Sequence, residues 1–128
     1  MTADHSNQRA DLLLIDDEPD VRDVIVTAGK MLGLVVKSFG DSQTALSEFE
    51  GLNPKITIVD YALGNGDQPG TEVGRQIKAL AGGQETTLIL LSGDLTEQVA
   101  TEAKSIGFDK LLRKPVSIPE LMGLLKGS

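Results

Sequence analysis

A chain of 128 residues, 40% hydrophobic and 24% charged, can bury the core of one globular domain and has no room for a second. Its formal charge of −7 excludes a nucleic-acid backbone and an anionic membrane surface as direct partners, because both repel it. The absence of cysteine excludes disulfides and thiolate chemistry, and no run of about 18 apolar residues offers a membrane span, so a soluble cytoplasmic protein is expected.

The polar opening MTADHSNQRA (1–10), which holds the only histidine, His5, is expected to be a disordered lead-in to a domain over 11–126. From Asp11 onward, short apolar runs rich in branched residues alternate with stretches of helical period, the pattern of βα units around a parallel sheet. LLLI (12–15) is apolar without a break, as a strand buried on both faces must be. Pro19 then suits a first helical turn, and Val21, Val24, Ile25, Ala28, Met31 and Leu32 recur at helical spacing. GLVVKSF (33–39) predicts a second strand, after which Asp41 and Ser42 can cap a helix with Ala45, Leu46, Phe49 and Leu52 inward.

KITIVD (55–60) predicts a third strand and ends on an acid. The glycine-rich YALGNGDQPG (61–70) reads as a mobile loop that a metal, phosphate or partner would order, and the helix after it carries Val73, Ile77 and Leu80. TTLILLSG (86–93) predicts a fourth strand, and Asp94 with Glu97 can cap a helix presenting Leu95, Val99, Ala103 and Ile106. DKLLRKP (109–115) predicts a fifth strand, and Ser117 with Glu120 opens a last helix with Leu121, Leu124 and Leu125 inward. At this size the expected solution is an α/β, flavodoxin-like fold: a doubly wound parallel sheet of five strands, order 2-1-3-4-5, with five helices.

In such a sheet function collects beyond the carboxyl ends of the strands, at the switch point between the first and third. Strand one delivers Asp16 and Asp17 there, strand three Asp60, strand four Ser92, and strand five Arg113 and Lys114 before Pro115. Two like charges about 4 Å apart repel by roughly 4 kcal/mol at an effective dielectric near 20, so the acids require a proton or a cation among them. An all-oxygen cluster without His or Cys favours a hard cation such as Mg²⁺, which takes only one or two protein carboxylates and leaves another free as a nucleophile. The chemistry that follows is a metal-assisted aspartyl phosphate, its charge neutralised by Mg²⁺, a lysine and a hydroxyl donor.

Four segments in order, LLLIDDEPDVRDVI (12–25), ITIVDYALGNG (56–66), LILLSGD (88–94) and FDKLLRKPVSIPEL (108–121), resemble the receiver domain of bacterial two-component response regulators. The resemblance covers about residues 11–126. It implies that Asp60 is the phospho-acceptor, and that Asp16 and Asp17 hold Mg²⁺ beside Asp60 with the Ala62 backbone carbonyl; one of the pair would bind directly and the other through water, and Asp17 is expected to be the direct ligand. It also implies that the Ser92 hydroxyl turns toward the phosphoryl group and that Lys114 pairs with it. The Lys114–Pro115 bond would be cis, and Gly93 would leave an entrance for the phosphodonor. Asp94, two residues beyond Ser92, falls where the family's side chain influences water attack, so with Ala62 apolar at the other flank Asp94 is expected to set the phosphate lifetime.

Two features depart from the family. Leu111 stands where an aromatic switch residue is usual, so it reads as packing, and the loop after Asp60 is longer and carries three glycines. The resemblance implies a receiver that takes a phosphoryl group from a sensor histidine kinase or histidine phosphotransfer protein, without turning over an external substrate. Phosphorylation would shift the fourth helix, fifth strand and fifth helix to signal to a downstream protein. The chain is read as a stand-alone receiver or one cut from a larger protein, and with no output domain before Ser128 its output is expected to be a protein contact or further phosphotransfer. The alternatives are a Mg²⁺-dependent phosphatase, which would want a second acid where Ala62 stands, and a pseudo-receiver, which would lack an acceptor or an acid.

Overall fold

The computed structural model describes residues 9–126, so His5 and most of the expected lead-in lie outside the described residues. Ala10, at the end of that lead-in, is buried, and its N–H donates to Leu52 O at 2.9 Å, so packing begins one residue before the expected boundary.

Among the described residues five strands and five helices alternate: β1 (Leu12–Ile15), α1 (Pro19–Met31), β2 (Val36–Phe39), α2 (Ser42–Leu52), β3 (Ile56–Asp60), α3 (Gly70–Lys78), β4 (Thr87–Ser92), α4 (Glu97–Ile106), β5 (Lys110–Arg113) and α5 (Ile118–Lys126). The strands form one parallel sheet in the order β2-β1-β3-β4-β5, the expected doubly wound α/β arrangement.

Successive side chains on a strand point to opposite faces, so the apolar runs feed two cores. Leu13, Ile15, Val59, Leu88 and Leu90 meet Ala45 and Phe49 of α2, Val73 and Ile77 of α3 and Ala103 of α4 on one face. Leu12, Leu14, Ile56, Ile58, Ile89, Leu91 and Leu112 meet Ile25 and Ala28 of α1 and Leu121 and Leu125 of α5 on the other. Both cores hold the register in which Ile15 lies beside Val59, which brings the residues following β1 next to the end of β3. Among the described residues no helix is long and apolar enough to cross a membrane.

Most strand ends move by one or two residues, and two boundaries differ for an identifiable reason. The second strand starts at Val36 rather than Gly33, because Gly33 takes a φ of +78° and the N–H groups of Leu32, Gly33 and Leu34 turn back to close α1 on Gly29 O and Lys30 O. The fourth helix is capped by Thr96, whose Oγ1 accepts from Val99 N–H at 3.1 Å; Asp94 does not cap it, since its own N–H is tied back to Ser92 Oγ, and Leu95 stays outside the helix. The glycine-rich loop is tied to itself and to its neighbours by hydrogen bonds. Gly70 N–H reaches Tyr61 O at 2.7 Å, Asp67 N–H reaches Gly64 O at 2.9 Å, and the Asp67 carboxylate bonds to the start of α2.

Candidate functional site at the carboxyl edge of the sheet

Each acid is set by the strand it leaves. Asp16 follows β1 directly, and its N–H still pairs with Phe39 O of β2 at 3.0 Å. Its side chain is wholly buried; Oδ1 accepts from Glu18 N–H at 2.8 Å, which turns the chain into α1. From α1, Arg22 Nη1 donates to the Asp16 backbone carbonyl at 2.7 Å and braces that turn. Asp17 is half-buried, with Gly64 of the loop against its carboxylate. Asp60 is the last residue of β3, paired with Leu91 of β4 and buried at 1% exposure.

These three carboxylates bring one oxygen each within 4.8 Å of one another. Lys114 answers them from the end of β5, where its N–H donates to Ser92 O at 2.9 Å and the Lys114–Pro115 peptide bond is cis. Its Nζ lies 3.1 Å from Asp60 Oδ2, 3.4 Å from Asp16 Oδ2 and 2.5 Å from Glu18 Oε1. Asp60 Oδ1 also accepts from Ala62 N–H at 3.3 Å. Ser92 is buried beside Asp60's strand, and its Oγ accepts from Asp94 N–H at 3.1 Å.

One ammonium does not balance this much buried negative charge. Burial, and after it the Asp16 charge, pushes the Asp60 carboxyl up to about 6 despite Lys114. Burial raises Asp16 as well, although the Glu18 N–H and Lys114 oppose it. Burial alone would lower Lys114, but its bonds to Glu18 and Asp60 and the surrounding acids more than offset that and hold it ionised. Among the described residues the buried Asp16 Oδ2 has no hydrogen-bond partner, the ammonium being its nearest counter-charge. An orphaned oxygen in an all-carboxylate donor set is what a hard cation satisfies, so Asp16, Asp17 and Asp60 could hold a metal ion such as Mg²⁺.

Of the residues singled out in the sequence, Asp16, Asp17, Asp60, Ser92 and Lys114 gather here. Gly93 and Asp94 are exposed at the rim, and a side chain added at Gly93 would meet nothing closer than Lys114 Cβ at 3.9 Å. Ala62 is exposed and presents only a methyl group. Leu111 packs with Val99, Ile106 and Tyr61 against the core under α3 and α4. Arg113 does not join the cluster: it is exposed and makes no ion pair among the described residues. Glu18 and Arg22 were missed, although Glu18 is the third acid of DDEP and Arg22 stands one helical turn beyond it.

Three acids, two of them buried, beside a lysine at the switch point of a 2-1-3-4-5 sheet are the arrangement of an α/β signalling domain of the response-regulator type. The chain belongs to the response regulator receiver domain family, whose family model matches residues 12–126. It is 31% identical over 116 residues to an uncharacterized 14.6 kDa protein of Leptolyngbya boryana, covering 91% of this chain and 87% of that one. It is 30% identical to the transcriptional regulatory protein TrcR of Mycobacterium tuberculosis, covering 91% of this chain but 44% of TrcR, so it spans less than half of that regulator. In fold it is similar to the chemotaxis protein CheY4 of Vibrio cholerae, with a TM-score of 0.86 at 20% identity over 93% of this chain and 98% of that one.

Proposed function

We propose that this receiver acts in the cytoplasm, accepting a phosphoryl group on Asp60 in a Mg²⁺-dependent transfer from a phosphohistidine of a sensor histidine kinase or histidine phosphotransfer protein, and signals to a downstream protein. The observation that carries the reading is the Asp60 carboxylate, 1% exposed and 3.1 Å from Lys114 Nζ, beside the orphaned Oδ2 of Asp16.

Asp16, Asp17 and Asp60 would hold the cation, which neutralises charge on the phosphoryl oxygens and the carboxylates when bound. A carboxylate oxygen of Asp60 attacks phosphorus in line, the O–P bond forms as the donor's P–N bond breaks, and the leaving imidazole takes up a proton. Lys114 answers the added negative charge and must loosen from Glu18 to do so fully. Ser92, anchored to the same strand end through Lys114 N–H, would turn its hydroxyl toward the phosphoryl group. Ala62 offers no acid to a leaving group, so repeated turnover of a phosphate ester is not expected.

The test is incubation with acetyl phosphate and Mg²⁺ followed by intact mass, with Asp60→Ala beside the native chain. One phosphate adduct is expected on the native chain and none on the variant. An adduct on both, or on neither, would remove Asp60 as the acceptor.

A further inference from the structure

The loop between β3 and α3 is clasped to α2 by one carboxylate that lies outside the acid cluster. Asp67 Oδ2 accepts from Ser42 N–H at 2.8 Å, and Oδ1 accepts from Ser42 Oγ at 2.6 Å and from Gln68 N–H at 2.8 Å. Gln68 continues the tie: its Nε2 donates to Ser42 Oγ at 3.2 Å, and its amide exchanges two hydrogen bonds with Gln76 of α3, at 3.0 and 2.9 Å. Burial alone would raise the Asp67 carboxyl, but the bonds from Ser42 and Gln68 outweigh it and hold it below the ordinary range, so the clasp is ionised at neutral pH.

The other end of the same turn touches the acid cluster. Asp67 N–H closes on Gly64 O at 2.9 Å, and Gly64, Asn65 and Gly66 between them all take left-handed φ values of +71°, +52° and +77°. This turn is short and closed, so it transmits position. A Cβ at Gly64 would lie 2.9 Å from Asp17 Oδ2, which means the backbone of the turn forms the wall against which the Asp17 carboxylate rests.

We propose that Asp67 is a positioning residue for divalent-cation binding: its clasp on Ser42 holds the Gly64 turn against Asp17 and so fixes how Asp17 faces the cation. The inference rests on the reading of Asp16, Asp17 and Asp60 as a metal site. Asp67 itself touches no cation. Releasing it would let the turn swing out and return to Asp17 the rotamer freedom that cation binding must then remove.

The test is Mg²⁺ titration of the full chain, read by the fluorescence of Tyr61, the only tyrosine in a chain without tryptophan, and checked by calorimetry. Asp67→Ala should weaken Mg²⁺ binding by about 10-fold, the low end of what losing a ligand's supporting groups costs, because the clasp reaches Asp17 only through the Gly64 turn. Asp67→Asn, which keeps one acceptor oxygen but turns an amide N–H₂ toward the donors that met the other, should fall between that variant and the native chain and serves if Asp67→Ala does not fold. Phe49→Leu loosens the buried face of the same helix with the clasp intact, and should bind Mg²⁺ as the native chain does. Native affinity in both Asp67 variants, or equal weakening in Phe49→Leu, overturns the inference while leaving the metal site in place. A native chain that binds no Mg²⁺ overturns the metal reading and this inference together.

Discussion

Asp60 is held in a state that favours its own neutralisation, and this gives the metal-free protein a pH dependence. With its carboxyl pushed up to about 6 by burial and by Asp16, the folded chain holds a proton that the unfolded chain, titrating near 3.8, has released. Stability from this group is therefore complete below about pH 4 and declines as pH rises through about 6. We predict that in EDTA the unfolding temperature falls between pH 5 and 7.5, and that Asp60→Asn both flattens this slope and raises stability at the upper end. A variant as steep as the native chain would contradict the assignment.

Lys114 and Glu18 test the same charges from the opposite side. Lys114 faces two buried acids with its side chain 18% exposed, whereas Glu18 is 58% exposed and in contact with water. Removing a cation from buried partners costs far more than removing an exposed anion. Lys114→Met should therefore lower metal-free stability by about 2–4 kcal/mol, and Glu18→Gln by less than about 1 kcal/mol. Denaturant unfolding of the two variants in EDTA measures both, and equal losses would mean that the Glu18 contact, despite its exposure, dominates the lysine's environment.

At the scale of elements, the start of α3 shows how closely the backbone is packed under the site. A Cβ at Gly70 would lie 2.2 Å from Asp60 O and 2.8 Å from Tyr61 Cα, backbone atoms that have no rotamer in which to yield. Gly123 of α5 has open space around it and an ordinary helical role. We predict opposite signs for the same substitution: Gly70→Ala should destabilise by more than about 2 kcal/mol and disturb Asp60, while Gly123→Ala should stabilise by about 0.5–1 kcal/mol. Thermal unfolding decides between them, and a mild Gly70→Ala would show that the β3–α3 connection can shift without cost.

The element comparison also shows what the sequence carries. Strands such as LLLI and ITIVD are legible because burial on both faces demands unbroken apolarity, and the acids that end them are legible because a charge stops such a run. The start of α4 is not, since Asp94 and Thr96 are both good caps, and only the tertiary position of Ser92, which takes the Asp94 N–H, leaves the helix to Thr96. The Asp67 clasp joins residues 25 apart, and the Glu18–Lys114 pair joins residues 96 apart. Spacing along the chain carries no trace of either contact. Arg113 is alike in charge to Lys114 and adjacent to it, so position alone cannot tell the two apart, and the alternation of a strand turns Arg113 away from the site.

For the whole molecule, the two cores and the site are one arrangement. Packing on both faces locks β1 beside β3, and that register forces Asp16 and Asp60 together at one edge of a chain that already carries a net charge of −7. The acid cluster exists only in the folded state, so a cation that fills it stabilises folding by mass action, by about 2.7 kcal/mol at a concentration 100 times its dissociation constant. General screening of the net charge would also stabilise the fold, and the two effects separate by ion type. We predict that millimolar MgCl₂ raises the unfolding temperature by several degrees over NaCl of equal ionic strength, and that Asp16→Asn or Asp17→Asn removes most of the difference. If NaCl matches MgCl₂, the stabilisation is screening of the whole surface, and the three carboxylates do not form a cation site.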